Sequence, residues 1–211
     1  MQENYIALNT NKDKKQSRMF TIFETYIKEH ANVTEDDINL MRSKAIERRL
    51  RQKEFLLHQG EVCRYKVFIA KGLLRTYAIR DQGSEHIMRF SPENSWTTEP
   101  ESFENASPSV LNIDALEPSE LVLWTKNDLR YLIDSITGLK DYFDKLISGS
   151  GSVLRQRILN NISSSAEEKY EDFIKKYPDI YARVPLHMVA SYLGVTRKTL
   201  TRIRHAQVKS K

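Results

Sequence analysis

Arg197, Lys198, Thr201, Arg202 and Arg204 crowd into one short stretch near the C-terminus, and no Asp or Glu occurs after Asp179. Thr196 and Thr199 add hydroxyls beside these cations, and Arg183, Lys209 and Lys211 extend the positive charge. Such a set suits a nucleic acid duplex, because cations neutralise phosphates while Arg and Thr reach base edges in the major groove. A plain helical hairpin with a solvated basic face would carry the same charge. The scaffold beneath the charges therefore decides between the two.

That scaffold has the spacing of two short helices. Val189 and Leu193 are four residues apart and share one helical face, and Leu200 and Ile203 do the same three residues apart. Ala190 is small where helices must cross closely, Gly194 suits a left-handed exit from the first helix, and Val195 fills the corner. Thr196 is a good N-cap for the helix that follows. Together these residues predict a helix-turn-helix whose second helix shows its cations to a groove.

Composition sets the frame. With 211 residues the chain can bury a real core, and its net charge of +5 matters more for its place than its size. No apolar run reaches the length of a membrane span, and residues 1–17 lack the apolar core of a signal peptide. The lone Cys63 can form no internal disulfide and no cysteine metal cluster. These features predict a cytoplasmic protein with no membrane partner.

Residues 1–18 read as a flexible polar arm. Phe20, Phe23 and Ile27 mark a first helix, and Thr34 followed by Glu35, Asp36 and Asp37 starts a second. From Ala45 the apolar period shortens to alternation: Phe55 and Leu57, then Tyr65 to Ile69, Leu73 to Ile79, His86 to Phe90, Val110 to Leu116 and Leu121 to Thr125. Lys71-Gly72 and Asp81 to Ser84 punctuate the runs as turns, and Ser91 to Pro108 reads as a long loop with one helical turn. A small jelly-roll-like β domain over residues 19–135 follows from this pattern. Lys126 to Asp128 opens a further helix, and Leu139, Phe143, Leu146, Val153, Leu154, Ile158 and Ile162 give residues 136–163 the stripe of a long one. Ser148-Gly-Ser-Gly-Ser152 inside it leaves a kink, a close helix crossing or a break open. Ser165 with Glu168 predicts a capping box, Pro178 stops that helix, and residues 164–211 form the last unit. The fold class expected is α+β.

The order β domain, long helix, basic helix pair resembles the cyclic-AMP receptor protein / Fnr (Crp/Fnr) family of bacterial regulators. Three stretches carry the resemblance: Glu54 to Glu61, which is similar to the family's second strand and Gly-Glu turn; Tyr65 to Gly72, similar to its next strand and turn; and Val195 to Arg202, similar to its recognition-helix signature. The resemblance implies a cyclic-nucleotide-binding-like jelly roll, a dimerisation helix over residues 136–163 and a winged-helix-like C-terminal domain. It implies a homodimer reading a pseudo-palindrome in double-stranded DNA, with RNA polymerase as a further partner. Arg197 and Arg202 fall where the family reads bases. Lys198 stands where the family has an acidic residue, and a lysine cannot accept a hydrogen bond from cytosine. Thr196, Thr199 and Thr201 fall at phosphate-contacting positions, with Arg204 a phosphate contact or a packing residue.

The family's nucleotide pocket uses a Gly-Glu-Leu turn and, further on, a cation. Here Glu99 stands where the ribose-binding carboxylate would, Thr98 replaces the glycine, and no Arg or Lys occurs from Ser91 to Leu123. A buried phosphate without a cation is costly, so cyclic AMP is not the expected effector and another small molecule, or none, takes its place. Iron–sulfur sensing needs more cysteines than Cys63, and His58 and His86 read as ordinary strand residues rather than haem ligands, so no cofactor is expected. A metal enzyme on a jelly roll needs a His-x-His pair, whereas His58, His86, His187 and His205 are scattered, so the chain is not read as an enzyme. The rival reading is a small-molecule sensor or protein-docking module whose helix pair no longer reads DNA.

Overall fold

The computed structural model describes residues 17–80 and 83–209, without the side chains of Ser150 and of residues 207–209. Most of the arm expected over residues 1–18 lies outside the described residues, as do Asp81 and Gln82 of the expected turn and the cation Lys211. Helix α1 (Arg18–His30) buries Phe20, Phe23 and Ile27 along one face. Helix α2 (Glu35–Lys44) starts on Thr34, whose hydroxyl accepts from the Asp37 amide at 3.2 Å while the Asp37 carboxylate accepts from the Thr34 amide at 2.8 Å. That reciprocal cap explains why the helix starts at this point.

Eight strands follow among the described residues: β1 (Ile46–Leu50), β2 (Phe55–Leu57), β3 (Tyr65–Lys71), β4 (Leu73–Ile79), β5 (Glu85–Pro92), β6 (Ser95–Thr97), β7 (Asn112–Ala115) and β8 (Ser119–Thr125). They make two four-stranded sheets, β1-β8-β3-β6 and β2-β7-β4-β5, each fully antiparallel. Gly72 carries the chain from one sheet to the other at φ +105°, and a Cβ there would lie 2.8 Å from the Ser119 Cα. The stretch expected to be a loop, Ser91 to Pro108, holds more structure than that. It finishes β5, adds β6 against β3, and then forms the short helix α3 (Pro100–Asn105). A three-residue strand with one large apolar residue, Trp96, offers too little alternation to be read from sequence.

Thr125 caps α4 (Lys126–Ser135), and α5 (Thr137–Ser163) then runs 27 residues without interruption. Of the three alternatives for Ser148 to Ser152, the break is thus excluded. Nothing lies within 4 Å of a Cβ built on Gly149 or Gly151, so these glycines mark no close crossing within the chain. Gly138 is the opposite case, since a Cβ there would sit 1.8 Å from the Asn32 carbonyl oxygen in the α1–α2 turn. Gly138→Ala must push backbone against backbone, so we expect a loss of about 2 kcal/mol or more in chemical unfolding. An unchanged midpoint would show that α5 does not dock there.

Helix α6 (Ala166–Lys176) starts with the expected Ser165–Glu168 capping box. Pro178 ends α6 and also begins an unforeseen helix, α7 (Pro178–Arg183), from its first position. Proline is tolerated there because its missing N–H has no partner to lose. Helices α8 (Leu186–Leu193) and α9 (Arg197–Lys209) follow, joined through Gly194 at φ +68°. The C-terminal helices lie on the β4–β5 face, where Leu73, Tyr77, Ile87 and Phe90 share a buried cluster with Phe173, Val189 and Ala190. The Ser191 hydroxyl donates to the Glu85 carbonyl at 2.6 Å and accepts from the Ile87 amide at 3.0 Å. Arg183 ties α7 to Glu93 at 3.0 Å and to Glu117 at 2.5 Å.

Candidate nucleic-acid interface

Helix α9 is held from beneath. Leu200 and Ile203 are buried with Val189, Ala190 and Leu193 of α8. Thr196 opens the helix, its hydroxyl accepting from the Thr199 amide at 3.1 Å and lying 2.8 Å from the Thr199 hydroxyl. The Thr201 hydroxyl donates to the Arg197 carbonyl at 2.9 Å. These three threonines therefore shape the helix start, and each keeps acceptor capacity toward solvent.

The outer face is bare. Thr196, Arg197, Lys198, Thr201, Arg202 and Arg204 are exposed, and Thr199 is half-buried. Six of these residues (Thr196, Arg197, Lys198, Thr199, Thr201 and Arg202) line one shallow concavity with His205, a neighbour that sequence reading did not assign. Arg204 instead lies near enough to Tyr170 of α6 to act on its hydroxyl, which burial pushes well above its usual range. The structure thus gathers six of the seven predicted residues on one surface and sets Arg204 at its edge. Arg183, which sequence reading added to the same positive field, is instead spent on its carboxylates.

Helix α5 shows an apolar stripe. Ile147, Leu154, Ile158 and Ile162 recur at helical spacing, and they are 67, 56, 51 and 80 % exposed. Together they form an exposed apolar stripe along the helix. At its other end α5 is anchored to the sandwich: the Trp96 indole N–H donates to the Tyr142 hydroxyl at 2.8 Å, and that hydroxyl lies 3.0 Å from the hydroxyl of Tyr26 on α1.

Within the β half, a cavity of about 370 Å³ is lined by Leu56, Leu57, Val62, Tyr65 and Ile113, with Cys63 and Thr98. Arg64 and Glu61 are its charged lining residues. Arg64 is a cation from outside the stretch Ser91 to Leu123, contributed by the segment between β2 and β3. Glu99 is buried, and both of its carboxylate oxygens are engaged, accepting from the Glu101 amide at 3.2 Å and the Ser102 amide at 2.7 Å. On β3, burial and then the Arg89 guanidinium hold Lys66 down at about 8. An unfolded lysine titrates near 10.4, so the unfolded chain binds more protons between the two values and stability rises with pH there. Unfolding midpoints should therefore climb from about pH 8 to about pH 10, and Lys66→Met should flatten that climb. An equal climb in the variant would place its source elsewhere.

Residues 47–135 match the cyclic nucleotide-binding domain family. No curated protein matches the chain by sequence. Solved structures share its fold across most of its length. FixK2 from Bradyrhizobium japonicum is 16% identical with a TM-score of 0.69, covering 79% of this chain and 85% of its own. A candidate transcriptional regulator of the crp/fnr family from Eubacterium rectale is 16% identical with a TM-score of 0.67, covering 92% and 89%. The c-di-GMP responsive global regulator CLP of Xanthomonas campestris is 13% identical with a TM-score of 0.64, covering 84% and 93%.

Proposed function

We propose that the protein is a homodimeric transcription regulator of the Crp/Fnr type, which reads a pseudo-palindromic DNA site with two copies of α9. The observation that carries this reading is the face of α9: packed from below by Leu200 and Ile203, and showing Arg197, Lys198, Thr201 and Arg202 outward. Arg197 and Arg202 read base edges; Thr196, Thr199 and Thr201 meet phosphates, and Lys198 adds charge but no acceptor. The stripe on α5 pairs with its copy and sets the separation of the two α9 helices near one turn of duplex. RNA polymerase is the partner through which a bound dimer changes transcription.

The signal enters at the β-sandwich and travels along β6. Thr98 lines the cavity, and Trp96, two residues earlier, holds the Tyr142 hydroxyl of α5. A ligand that prefers one arrangement of β6 would bias α5, and with it the spacing of the two readers. Cyclic AMP is not that ligand in this reading. Glu99 already fills the amide positions at the start of α3 with its own negative charge, which disfavours a phosphate beside it. Selection of bound sequences from a random duplex pool tests the reading: a two-fold symmetric site should emerge with the native chain and blur with Arg197→Ala or Arg202→Ala. Recovery of no preferred sequence would refute it.

A further inference from the structure

Where β5, α5 and the C-terminal helices meet, they leave a cleft of about 630 Å³. Phe90, Leu146, Val153, Phe173, Tyr177 and Tyr192 make its lining mostly apolar and aromatic. Burial raises the Tyr192 hydroxyl above its usual range. Three cations also line the cleft, Arg89, Lys145 and Arg157, and no carboxylate does so among the described residues.

That imbalance is unusual for this chain. Elsewhere its sheltered arginines are given acids: Arg75 has Asp114 at 2.8 Å, Arg42 has Glu24 at 2.5 Å, and Arg183 has Glu93 and Glu117. In the cleft, Arg89 is exposed and donates to the Trp96 carbonyl at 2.9 Å, and the half-buried guanidinium there is that of Arg157. Arg157 donates to the carbonyls of Met88, Ile87 and Tyr192 and lies 4.2 Å over the Tyr192 ring. Carbonyls orient a guanidinium but do not cancel its charge. Lys145 is exposed at the rim. Uncompensated positive charge around an aromatic hollow of ligand size is the complement of one chemistry.

We propose that this cleft is a ligand site separate from the sandwich cavity, and that it takes a small organic anion with a flat apolar body. The charge meets Arg89 and Lys145, with Arg157 behind them, and the ring system lies against Phe90, Phe173, Tyr177 and Tyr192. Gly149 leaves the α5 side of the cleft open, since no atom lies within 4 Å of a Cβ built on it. The site and the stripe meet only at Leu154, which belongs to both. At roughly 100° per residue, positions 146, 149, 153 and 157 share a face of α5 that points away from 147, 158 and 162. An occupant touches β5, α5, α6 and α8 at once, so its affinity is linked to how they are arranged. The site stands on its own chemistry, whether or not α9 reads DNA.

The test uses two fluorescent probes of similar shape with the full chain: anilinonaphthalene sulfonate, which is anionic, and phenylnaphthylamine, which is neutral. The sulfonate should bind saturably, one per chain, and Arg89→Gln or Lys145→Gln should each weaken it about tenfold while changing the neutral probe by less than about twofold. Val153→Trp should abolish both, and because Val153 is 63 % exposed the bulk enters the cleft rather than the core. Ile158→Asp with Ile162→Asp should leave both probes bound, which separates the cleft from the stripe. Sulfonate affinity unchanged by the charge variants, equal weakening of both probes by them, or binding that survives Val153→Trp would overturn the proposal.

Discussion

Ile158→Asp together with Ile162→Asp is expected to turn a dimer into a monomer without unfolding it. These side chains are 51 and 80 % exposed on a single chain, so they contribute little to its own core. In a pair of α5 helices, each would bury most of an apolar side chain, worth about 1.5–3 kcal/mol. The double variant removes that term on both copies and sets carboxylates against one another. A loss of about 6 kcal/mol corresponds to a weakening of more than ten-thousandfold, enough to dissociate the pair at ordinary concentrations. Sedimentation should then give the mass of one chain, with an unchanged helical signal. A native chain that is itself a monomer, or a variant that keeps twice the mass, would remove the role given to α5.

The second large effect concerns recognition. Arg197→Ala and Arg202→Ala should each cost about 1–3 kcal/mol per half-site, and twice that over a palindrome, with relaxed preference at the bases each reads. Arg204→Ala should weaken all sequences about equally if that side chain serves phosphate alone. None of the three should change stability by more than about 0.5 kcal/mol, because all are exposed. Leu200→Ala makes the contrast, since a fully buried side chain leaves a cavity and costs about 2–5 kcal/mol of folding. Equilibrium titration of a selected duplex, beside thermal unfolding, separates the two kinds of loss. Retained affinity and preference in both arginine variants would show that α9 is not the reader.

Local signals were the legible ones. Thr34 and Ser165 announced their helices because a hydroxyl and a carboxylate three residues apart close a cap with no help from the rest of the chain. Gly194 announced the turn between α8 and α9 for a similar reason, since its backbone angle is one that glycine adopts freely. What depends on tertiary partners stayed hidden. Strand β6 exists because β3 offers it an edge, and α7 begins on a proline that sequence reading could as well take for an end. Packing of the C-terminal helices onto β4 and β5 leaves no periodic trace, because Ser191, Arg157 and Arg183 act there one by one through carbonyls and acids far away in the chain. The candidate DNA surface was readable because it lies on one helix. The anion cleft was not, because its cations come from β5 and from α5.

Salt dependence of duplex binding is the most direct test of the central claim. Affinity for the selected site should fall linearly on logarithmic axes with a slope of about −0.9 for each phosphate neutralised, so at least four cationic contacts per dimer give about −3.6 or steeper. Affinity that does not change with salt, or no binding to any duplex even in dilute buffer, would contradict the assignment of α9 as a DNA-reading helix.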